Sequence, residues 1–223
     1  GRQGQRGPEL IDQYRQQMPY SLNQELRMYY TYNESQIFSI ELQHLTQKED
    51  PFYRAIKQFQ PFGGIIKLNT DQERFNINQD RVTKTDKLES KLDYFYILSP
   101  KANLNLTIGF TDVKQDFNSS IFQILDNNSQ QNFSDKNLKN DVSFRFQDIY
   151  AALHYRFIQG IFTFDPGITI HSYSTETNQF SGLTKNSFAF FRPDFRVLIK
   201  FKDSETLRFV YRSTQQFTDI NNL

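Results

Sequence analysis

The sequence predicts an all-β protein, an antiparallel, up-and-down transmembrane β-barrel wall of about eight long strands. Three features predict this class. Runs of alternating apolar and polar residues recur along the chain, short turns alternate with long polar connections, and aromatic residues (23 Phe and 12 Tyr) collect at the ends of the apolar faces. A membrane-spanning barrel has all three properties.

The connections fall into two length classes. The short ones are 33–35, 99–102, 159–160 and 202–205, and the long ones are 49 to about 81, 115–141 and 174–187. A barrel in a membrane has tight turns on one side and long loops on the other. We therefore expect the long polar stretches to be surface loops.

Residues 1–20 are polar and rich in Gly, Gln and Pro, and the predicted barrel segment is 21–223. We interpret 1–20 as a loop with one short helical turn near Glu9 to Gln16. The first ten residues contain no apolar run of the kind that a secretion signal needs. We expect either that a signal was removed or that the chain is an internal piece of a larger protein.

Strands one to four are predicted at 22–32, 36–48, 82–98 and 103–114. Each has an apolar and a polar face, because successive side chains of a strand point to opposite sides of a sheet. The alternation is cleanest in the fourth strand, where the apolar face is Leu104, Leu106, Ile108 and Phe110. Most runs reach the roughly 9–11 residues that a membrane strand needs.

Strands five and six are predicted at 142–158 and 161–173. Val142, Phe144 and Phe146 are out of phase with the rest of strand five, which indicates a bulge or a strand that rises beyond the bilayer. Pro166 interrupts strand six, and a central strand of a soluble sheet tolerates proline poorly.

Strands seven and eight, at about 191–201 and from 206, combine an apolar face with a charged one. The charged residues are Arg192, Asp194, Arg196, Lys200, Arg208 and Arg212. We expect them to face a polar lumen in which charges pair across strands.

Composition excludes several functions. The 223 residues carry a net charge of +1 with 26 basic and 25 acidic residues interleaved, which argues against a nucleic-acid partner. The chain has no Cys, so disulfides and thiol chemistry are excluded. The mean hydropathy of −0.67 and the lack of long apolar runs exclude helical spans but not a barrel.

Catalytic and metal-binding motifs are not visible. The sequence contains no G-x-S-x-G, no phosphate-binding glycine loop and no H-E-x-x-H, so we expect no enzyme and no cofactor. His44, His154 and His171 lie on three different predicted strands without metal-ligand spacing, which favours lumen-facing or interfacial residues over a metal site.

The stretch 115–141 is the candidate ligand-contact loop. Asp126, Asn127 and Asn128 supply oxygen atoms, but the EF-hand order is missing and a solvated loop is the better interpretation. Binding residues concentrate on loops held by a rigid scaffold. The aromatic residues of this stretch would suit stacking on a sugar or capture of an apolar ligand, and they are Phe117, Phe122 and Phe133.

The same alternation would also fit a soluble β-sandwich or a lipocalin-like barrel whose apolar face is the core. Strand length, loop asymmetry and the charged opposite face favour the membrane. Two alternatives remain open: a complete eight-stranded outer-membrane barrel with a structural or adhesion role, and a soluble, secreted sandwich that binds carbohydrate.

The last third of the chain contains two recurrent strand patterns, FFRPDFRV at 190–197 and LRFVYRS at 207–213, followed by a loop that opens at Gln215. This pair resembles barrel strands of TonB-dependent outer-membrane receptors of the Bacteroidota type. The hairpin 88–110 and the segment FQDIYAA at 146–152 are similar to the same family.

The resemblance implies a location in the bacterial outer membrane, contact with its lipid, and import of a scarce nutrient such as an iron chelate, an oligosaccharide or a peptide. It also implies a TonB-type energy coupler acting through a plug domain, and a surface lipoprotein as a further partner. Members of the family close a barrel of about 22 strands. Neither the plug domain nor the energy-coupling box is visible in these residues, so we expect an internal slice of a larger barrel.

Overall fold

The computed structural model describes residues 11–58, 68–133, 139–179, 182–202 and 204–214. They form one antiparallel sheet of 11 strands, which confirms the predicted all-β, up-and-down fold. The strands are β1 (Ile11–Gln16), β2 (Tyr20–Asn33), β3 (Gln36–Glu49), β4 (Phe52–Lys57), β5 (Phe75–Ser99), β6 (Ala102–Ile124), β7 (Gln130–Asn132), β8 (Lys139–Gln159), β9 (Phe162–Gln179), β10 (Gly182–Lys202) and β11 (Glu205–Arg212).

The strands pair mostly with their neighbours in sequence. From β5 the order is β5, β6, β8, β9, β10 and β11, and β7 is a short addition to β6. On its other side β5 pairs with β3 along one part of its length and with β4 along the rest. Within the described residues, β2 and β11 are the edges of the main sheet.

Two pairs of strands are single long strands with a break. Strands β3 and β4 both pair with β5, and the register does not shift between them: Gln36 of β3 is opposite Tyr96, and Phe52 of β4 is opposite Asp80. Between them the backbone N–H of Arg81 donates to the carbonyl of Pro51 at 3.2 Å. Strands β2 and β1 continue one register against β3 and β4 in the same way. The wall therefore consists of eight long strands, in agreement with the sequence.

A proline lies at each break, and the two breaks are opposite each other. Pro19 and Pro51 have no backbone N–H to donate to a ladder. The N–H of Met18 instead donates to the carboxylate of Asp50 at 3.1 Å. Lys48 Nζ lies 3.0 Å from the other Asp50 oxygen, and these two donors, Lys48 first, hold the pKa of Asp50 below its ordinary value. We call the following residues the proline junction: Met18, Pro19, Lys48, Asp50 and Pro51.

The sequence-based loop predictions are partly wrong. Residues 11–16 form strand β1 and not a helical turn, because they find hydrogen-bond partners in β4. Strands β6 and β8 extend into the predicted loop 115–141, and β9 and β10 occupy most of the predicted loop 174–187. The side chains in these extensions still alternate between the two faces, although most of them are polar. The backbone N–H and C=O groups form their hydrogen bonds between strands whether or not a side chain is apolar.

Two irregularities expected from the sequence take a different form. The register between β6 and β8 is continuous from Ala102 to Ser120, so the out-of-phase start of the fifth predicted strand is not a bulge in that pairing. Strand β9 passes through Pro166, which costs it two residue pairs with β8 and none with β10.

The two faces of the sheet differ as predicted. Leu106 is 36% exposed and Phe209 is 60% exposed on the apolar face, and Val197 is half-buried there. A small core lies near the ends of the strands that are remote from the short turns, where Leu68, Phe75 and Ile77 pack with Ile121 and Phe133. The described part of the chain contains no helix long and apolar enough to cross a membrane.

Candidate functional site

The polar face carries a hydrogen bond that crosses a whole strand. His154 on β8 lies opposite Gly167 on β9, and Gly167 lies opposite Asp194 on β10. The Nε2 atom of His154 is 3.0 and 3.1 Å from the two carboxylate oxygens of Asp194. A Cβ atom at Gly167 would overlap both side chains, so this bridge requires a glycine beneath it.

The six predicted lumen charges share this polar face. In the pairing of β10 with β11, Asp194 is opposite Arg212 and Leu198 is opposite Arg208. Leu198 points to the same side as Arg196 and Lys200, so Arg208 shares their face. Arg196 pairs with Asp165 of β9, and Arg192 Nε donates to the backbone carbonyl of Ser213 at 3.0 Å.

Three of these charges, Asp194, Arg196 and Arg212, border a groove of about 350 Å³ near the short turns. Arg156, Arg196 and Arg212 line it together with Asn103 and Asn105. The pairs described above place two carboxylates among these three guanidinium groups, so the lining has an excess of one guanidinium group over carboxylates.

A buried contact between a histidine and a carboxylate lies further from the short turns on the same face. His171 of β9 places Nδ1 3.0 Å from both carboxylate oxygens of Asp148 on β8. The side chains are 9% and 11% exposed, respectively. The Nε2 atom of His171 is buried and has no hydrogen-bond partner among the described residues.

Aromatic rings surround this contact. The ring of His171 stacks on Tyr173 at 5.1 Å and on Phe190 at 5.4 Å between centroids. Tyr173 in turn stacks on Phe188 at 5.4 Å, and Tyr150 lies 5.3 Å from His171. We call the following residues the His171 cluster: Asp148, Tyr150, His171, Tyr173, Phe188 and Phe190.

Sequence reasoning missed the His171 cluster. The signal that could have found it was the out-of-phase stretch Val142 to Phe146, which puts apolar residues on the polar face. Phe146 lies 5.5 Å from Tyr173, and Phe188 and Phe190 continue the same apolar area on β10. The six-residue set combines three strands, so no single stretch of sequence displays it.

The predicted ligand-contact loop is not a single loop. Phe117 and Phe122 both belong to β6 and point to opposite faces. Phe117 lies on the polar face under the guanidinium of Arg81, at 5.6 Å, whereas Phe122 is buried. Phe133 packs against the small core. The three rings are therefore not arranged to bind one ligand together.

The polar members of that prediction stabilise a turn. The carboxylate of Asp126 accepts the N–H of Glu73 at 2.9 Å, which ties the stretch 68–74 to the end of β6. Asn127 accepts the N–H of Ser129 at 2.9 Å, and Asn128 adopts a φ of 63°. Asparagine tolerates this left-handed conformation better than most residues.

The apolar face has an ordered border on each side. Near the short turns it ends in packed rings: the centroids of Phe38 and Tyr94 are 4.8 Å apart in a tilted arrangement, and Phe157 stacks on Phe164 at 5.0 Å. On the remote side, charged residues follow Ile149 and Phe110. The Arg145 guanidinium donates to both oxygens of Asp112 at 2.9 and 3.0 Å, and this carboxylate raises the pKa of Arg145.

The described residues contain no group of three or more side chains that could hold a metal ion. His44 lies on the apolar face of β3 and contacts Thr46 at 3.4 Å, far from the other two histidines in the strand order.

No family model matches the chain, and no curated protein matches it in sequence. Among solved structures it is similar to the unliganded ferric citrate transporter FecA, with 15% identity and a TM-score of 0.44 over 85% of this chain and 35% of that one. It is also similar to BauA, the ferric preacinetobactin receptor from Acinetobacter baumannii, with 11% identity and a TM-score of 0.39 over 86% of this chain and 39% of that one. A third similar structure is the alcaligin outer membrane receptor FauA from Bordetella pertussis, with 10% identity and a TM-score of 0.31 over 92% of this chain and 42% of that one. The chain thus spans 35% to 42% of the length of these proteins.

Proposed function

We propose that this chain is part of the wall of an outer-membrane β-barrel, and that the barrel is a TonB-dependent transporter that imports a scarce nutrient. The single observation that carries the proposal is the exposed apolar face. Ile149, Phe191 and Phe209 are each more than half exposed on that face, while the charged residues gather on the other.

An apolar face of this extent is unfavourable in water. Soluble monomers rarely expose contiguous apolar patches larger than a few hundred Å². Within the described residues no second layer covers the face, since all 11 strands belong to one sheet. Hydrocarbon is the environment in which such a surface is stable.

The dimensions of the face support the same proposal. On β8 the apolar positions run from Ile149 to Phe157, and on β6 from Ala102 to Phe110, which is a span of nine residues in each case. A tilted strand crosses the hydrocarbon layer in roughly 9–11 residues. The stacked rings on one border and the charged residues on the other fit the two interfaces between lipid and water.

Import and energy coupling are proposed from the strand patterns at 190–197 and 207–213. The polar face supplies the aqueous surface that a transporter needs. An iron chelate, an oligosaccharide and a peptide are the nutrient classes to test, and the energy would come from a TonB-type coupler through a plug domain.

The environment of the two faces can be tested by cysteine labelling of the full-length protein, because these 223 residues contain no Cys. Single substitutions to Cys at successive positions of β10 would be reacted with a water-soluble maleimide in lipid vesicles. We expect protection at Phe195, Val197 and Ile199 and labelling at Arg196, Leu198 and Lys200. Equal labelling at both sets would contradict a lipid-facing wall.

Transport requires a separate test in cells. Deletion of the gene, and deletion of the TonB homologue, should each abolish uptake of the same nutrient among the three classes. If the labelling pattern alternates but neither deletion affects uptake, the chain is a membrane wall without this transport activity.

A further inference from the structure

A second groove of the polar face lies on the side remote from the short turns, beyond the apolar face. Its volume is about 600 Å³, which is within the range of pockets that bind small molecules. It crosses β3, β5, β6, β8 and β9, and its lining residues occupy the polar-face positions of these strands. We call it the Thr83 groove. Its neutral polar side chains are Gln47, Thr83, Thr85, Gln115, Asn140 and Gln179.

Several polar side chains of the Thr83 groove are open to a ligand. Those of Thr83, Asn140 and Gln179 form no hydrogen bond with the described residues. Asn140 and Gln179 are exposed, and Thr83 is half-buried. The buried side-chain atoms that lack a partner in the described chain belong to Asn78 and His171, which do not line this groove. A molecule in the groove can therefore reach all three side chains.

Two further amides of the groove are only partly used. Gln47 Nε2 donates to Glu49 at 2.8 Å, and Gln115 Nε2 donates to the hydroxyl of Thr85 at 3.4 Å. Each amide keeps its carbonyl oxygen as an acceptor, and Thr85 keeps its hydroxyl proton as a donor. The groove thus presents donors and acceptors side by side on uncharged groups. Sugar hydroxyl groups also donate and accept at once, so they match this lining.

The charges of the Thr83 groove balance. Its lining contains one guanidinium group, that of Arg81, and one carboxylate, that of Glu49. The guanidinium lies over the ring of Phe117 at 5.6 Å, and the carboxylate accepts the Gln47 amide. An anionic ligand such as a carboxylate-bearing iron chelate is recognised by an excess of cationic groups. The groove therefore favours an uncharged ligand.

The apolar part of the lining is small. It consists of Phe117 and Val142, which are both half-buried. Extended peptides are recognised through an open sheet edge and through pockets for alternate side chains. Strand β6 in the floor of the groove is paired on both sides, with β5 and β8, so it offers no open edge. Among the residues predicted as ligand contacts, Phe117 lines this groove.

We propose that the Thr83 groove binds a neutral oligosaccharide. The sugar donates to the carbonyl oxygens of Gln47 and Gln115, and it accepts hydrogen bonds from Thr83, Asn140 and Gln179. In an outer-membrane barrel the short turns are periplasmic, so the groove lies toward the cell exterior, where a nutrient arrives. The proposal rests on the proposed transporter function and names the substrate class for it.

The test is a calorimetric titration of the full-length protein in a detergent without a sugar headgroup. The sugar probes are maltohexaose, xylohexaose and mannohexaose. Citrate is the anionic probe, and a hexapeptide of alternating Gly and Ser is the peptide probe. We expect saturable binding of at least one sugar and of neither other probe. Absence of binding by all three sugars up to their solubility overturns the proposal, and so does tighter binding of citrate or the peptide than of any sugar.

Matched variants locate the bound sugar. Thr83→Val removes an unpaired hydroxyl group and keeps the shape of the side chain. Thr169→Val makes the same change at a half-buried polar-face position of β9 that does not line the groove. We expect the Kd for the sugar to rise about two- to tenfold in Thr83→Val, because one hydrogen bond to the ligand is lost, and to stay unchanged in Thr169→Val. An unchanged Kd in Thr83→Val, or an equal rise in both variants, overturns the proposal.

Failure of this site is distinguishable from failure of the transporter. An alternating cysteine-labelling pattern on β10 without sugar binding retains the membrane wall and rejects the Thr83 groove as a sugar site. Sugar binding that Thr83→Val weakens, together with uptake that does not depend on the TonB homologue, retains the sugar site and rejects energy-coupled import.

Discussion

Two glycines of the polar face allow side chains of β8 to lie across a neighbouring strand. Gly167 lies beneath the contact between His154 and Asp194, and Gly109 of β6 lies against the ring of Tyr150. Neither glycine was among the site residues predicted from the sequence. A glycine in a strand often marks such a close approach, but the sequence does not say which side chain approaches it.

Gly167→Ala should destabilise the protein by about 1–3 kcal/mol, because the added methyl group must displace His154 or Asp194. The measurement is denaturant unfolding of the full-length protein in lipid vesicles. In a His154→Ala background the same change should cost at least about 1 kcal/mol less, since half of the bridge is already gone. Equal costs in both backgrounds would contradict the steric explanation.

Gln123 is a second residue whose role can be isolated. Its side chain is fully buried, accepts the N–H of Asn69 at 2.9 Å and donates to the carbonyl of Asn69 at 3.0 Å. The amide thus pairs with this backbone as a neighbouring strand would.

Gln123→Leu should leave both backbone groups of the half-buried Asn69 without this partner, at a cost of at most about 1–3 kcal/mol for each. We expect faster hydrogen exchange at the Asn69 amide and an unchanged rate in the middle of β6. Gln115→Leu is the control, because Gln115 is on the same strand and face but is only half-buried, with a longer bond of 3.4 Å to Thr85. Similar exchange in both variants would show that the Gln123 pairing does not hold the stretch 68–74.

At the scale of elements, the sequence predicted the parts of the strands that carry an apolar face. The ranges 22–32, 36–48 and 103–114 lie within β2, β3 and β6. The polar extensions were missed because apolar alternation is the signal of a buried or lipid-facing side, whereas a hydrogen-bonded ladder needs no particular side chain. Strand β1 was missed for the same reason: residues 1–20 are rich in Gly, Gln and Pro and show no apolar alternation, although 11–16 form a hydrogen-bonded ladder with β4.

We expect the proline junction to make the pairing of β1 and β2 with β3 and β4 dependent on pH. The folded-state pKa of Asp50 lies below the ordinary 3.8, so its contribution to stability is present above that pH and is lost as the pH falls through the lowered value. We expect opening of the junction, seen as loss of Met18 amide protection, as the pH is lowered below about 4.

Asp50→Asn is the control for this dependence. Asparagine retains an acceptor for the Met18 N–H but has no charge to lose in this range. Protection at Met18 should therefore be independent of pH in the variant. A decline in both proteins over the same pH range would assign the dependence to another group.

At the scale of the molecule, the arrangement of the two faces was predictable and the candidate site was not. Arg196 and Val197 could be assigned to opposite faces from the period of two alone. The His171 cluster depends on which strands become neighbours and on their stagger, and these follow from the pairing of β8, β9 and β10. Phe122 and Phe133 were grouped because they are close in sequence, although their environments in the sheet differ.

The difference between the two faces predicts how much an added arginine costs on each of them. Ile40 of β3 is 38% exposed on the apolar face, and its neighbour Ser39 is on the polar face opposite Asp93. In a bilayer, Ile40→Arg should cost about 2–4 kcal/mol, as for arginine near the middle of a lipid-facing strand, whereas Ser39→Arg should cost close to nothing because its charge remains in water near a carboxylate. The measurement is the free energy of unfolding of the full-length protein from lipid vesicles. Equal costs at the two positions would mean that hydrocarbon does not contact Ile40, and the membrane wall would have to be abandoned.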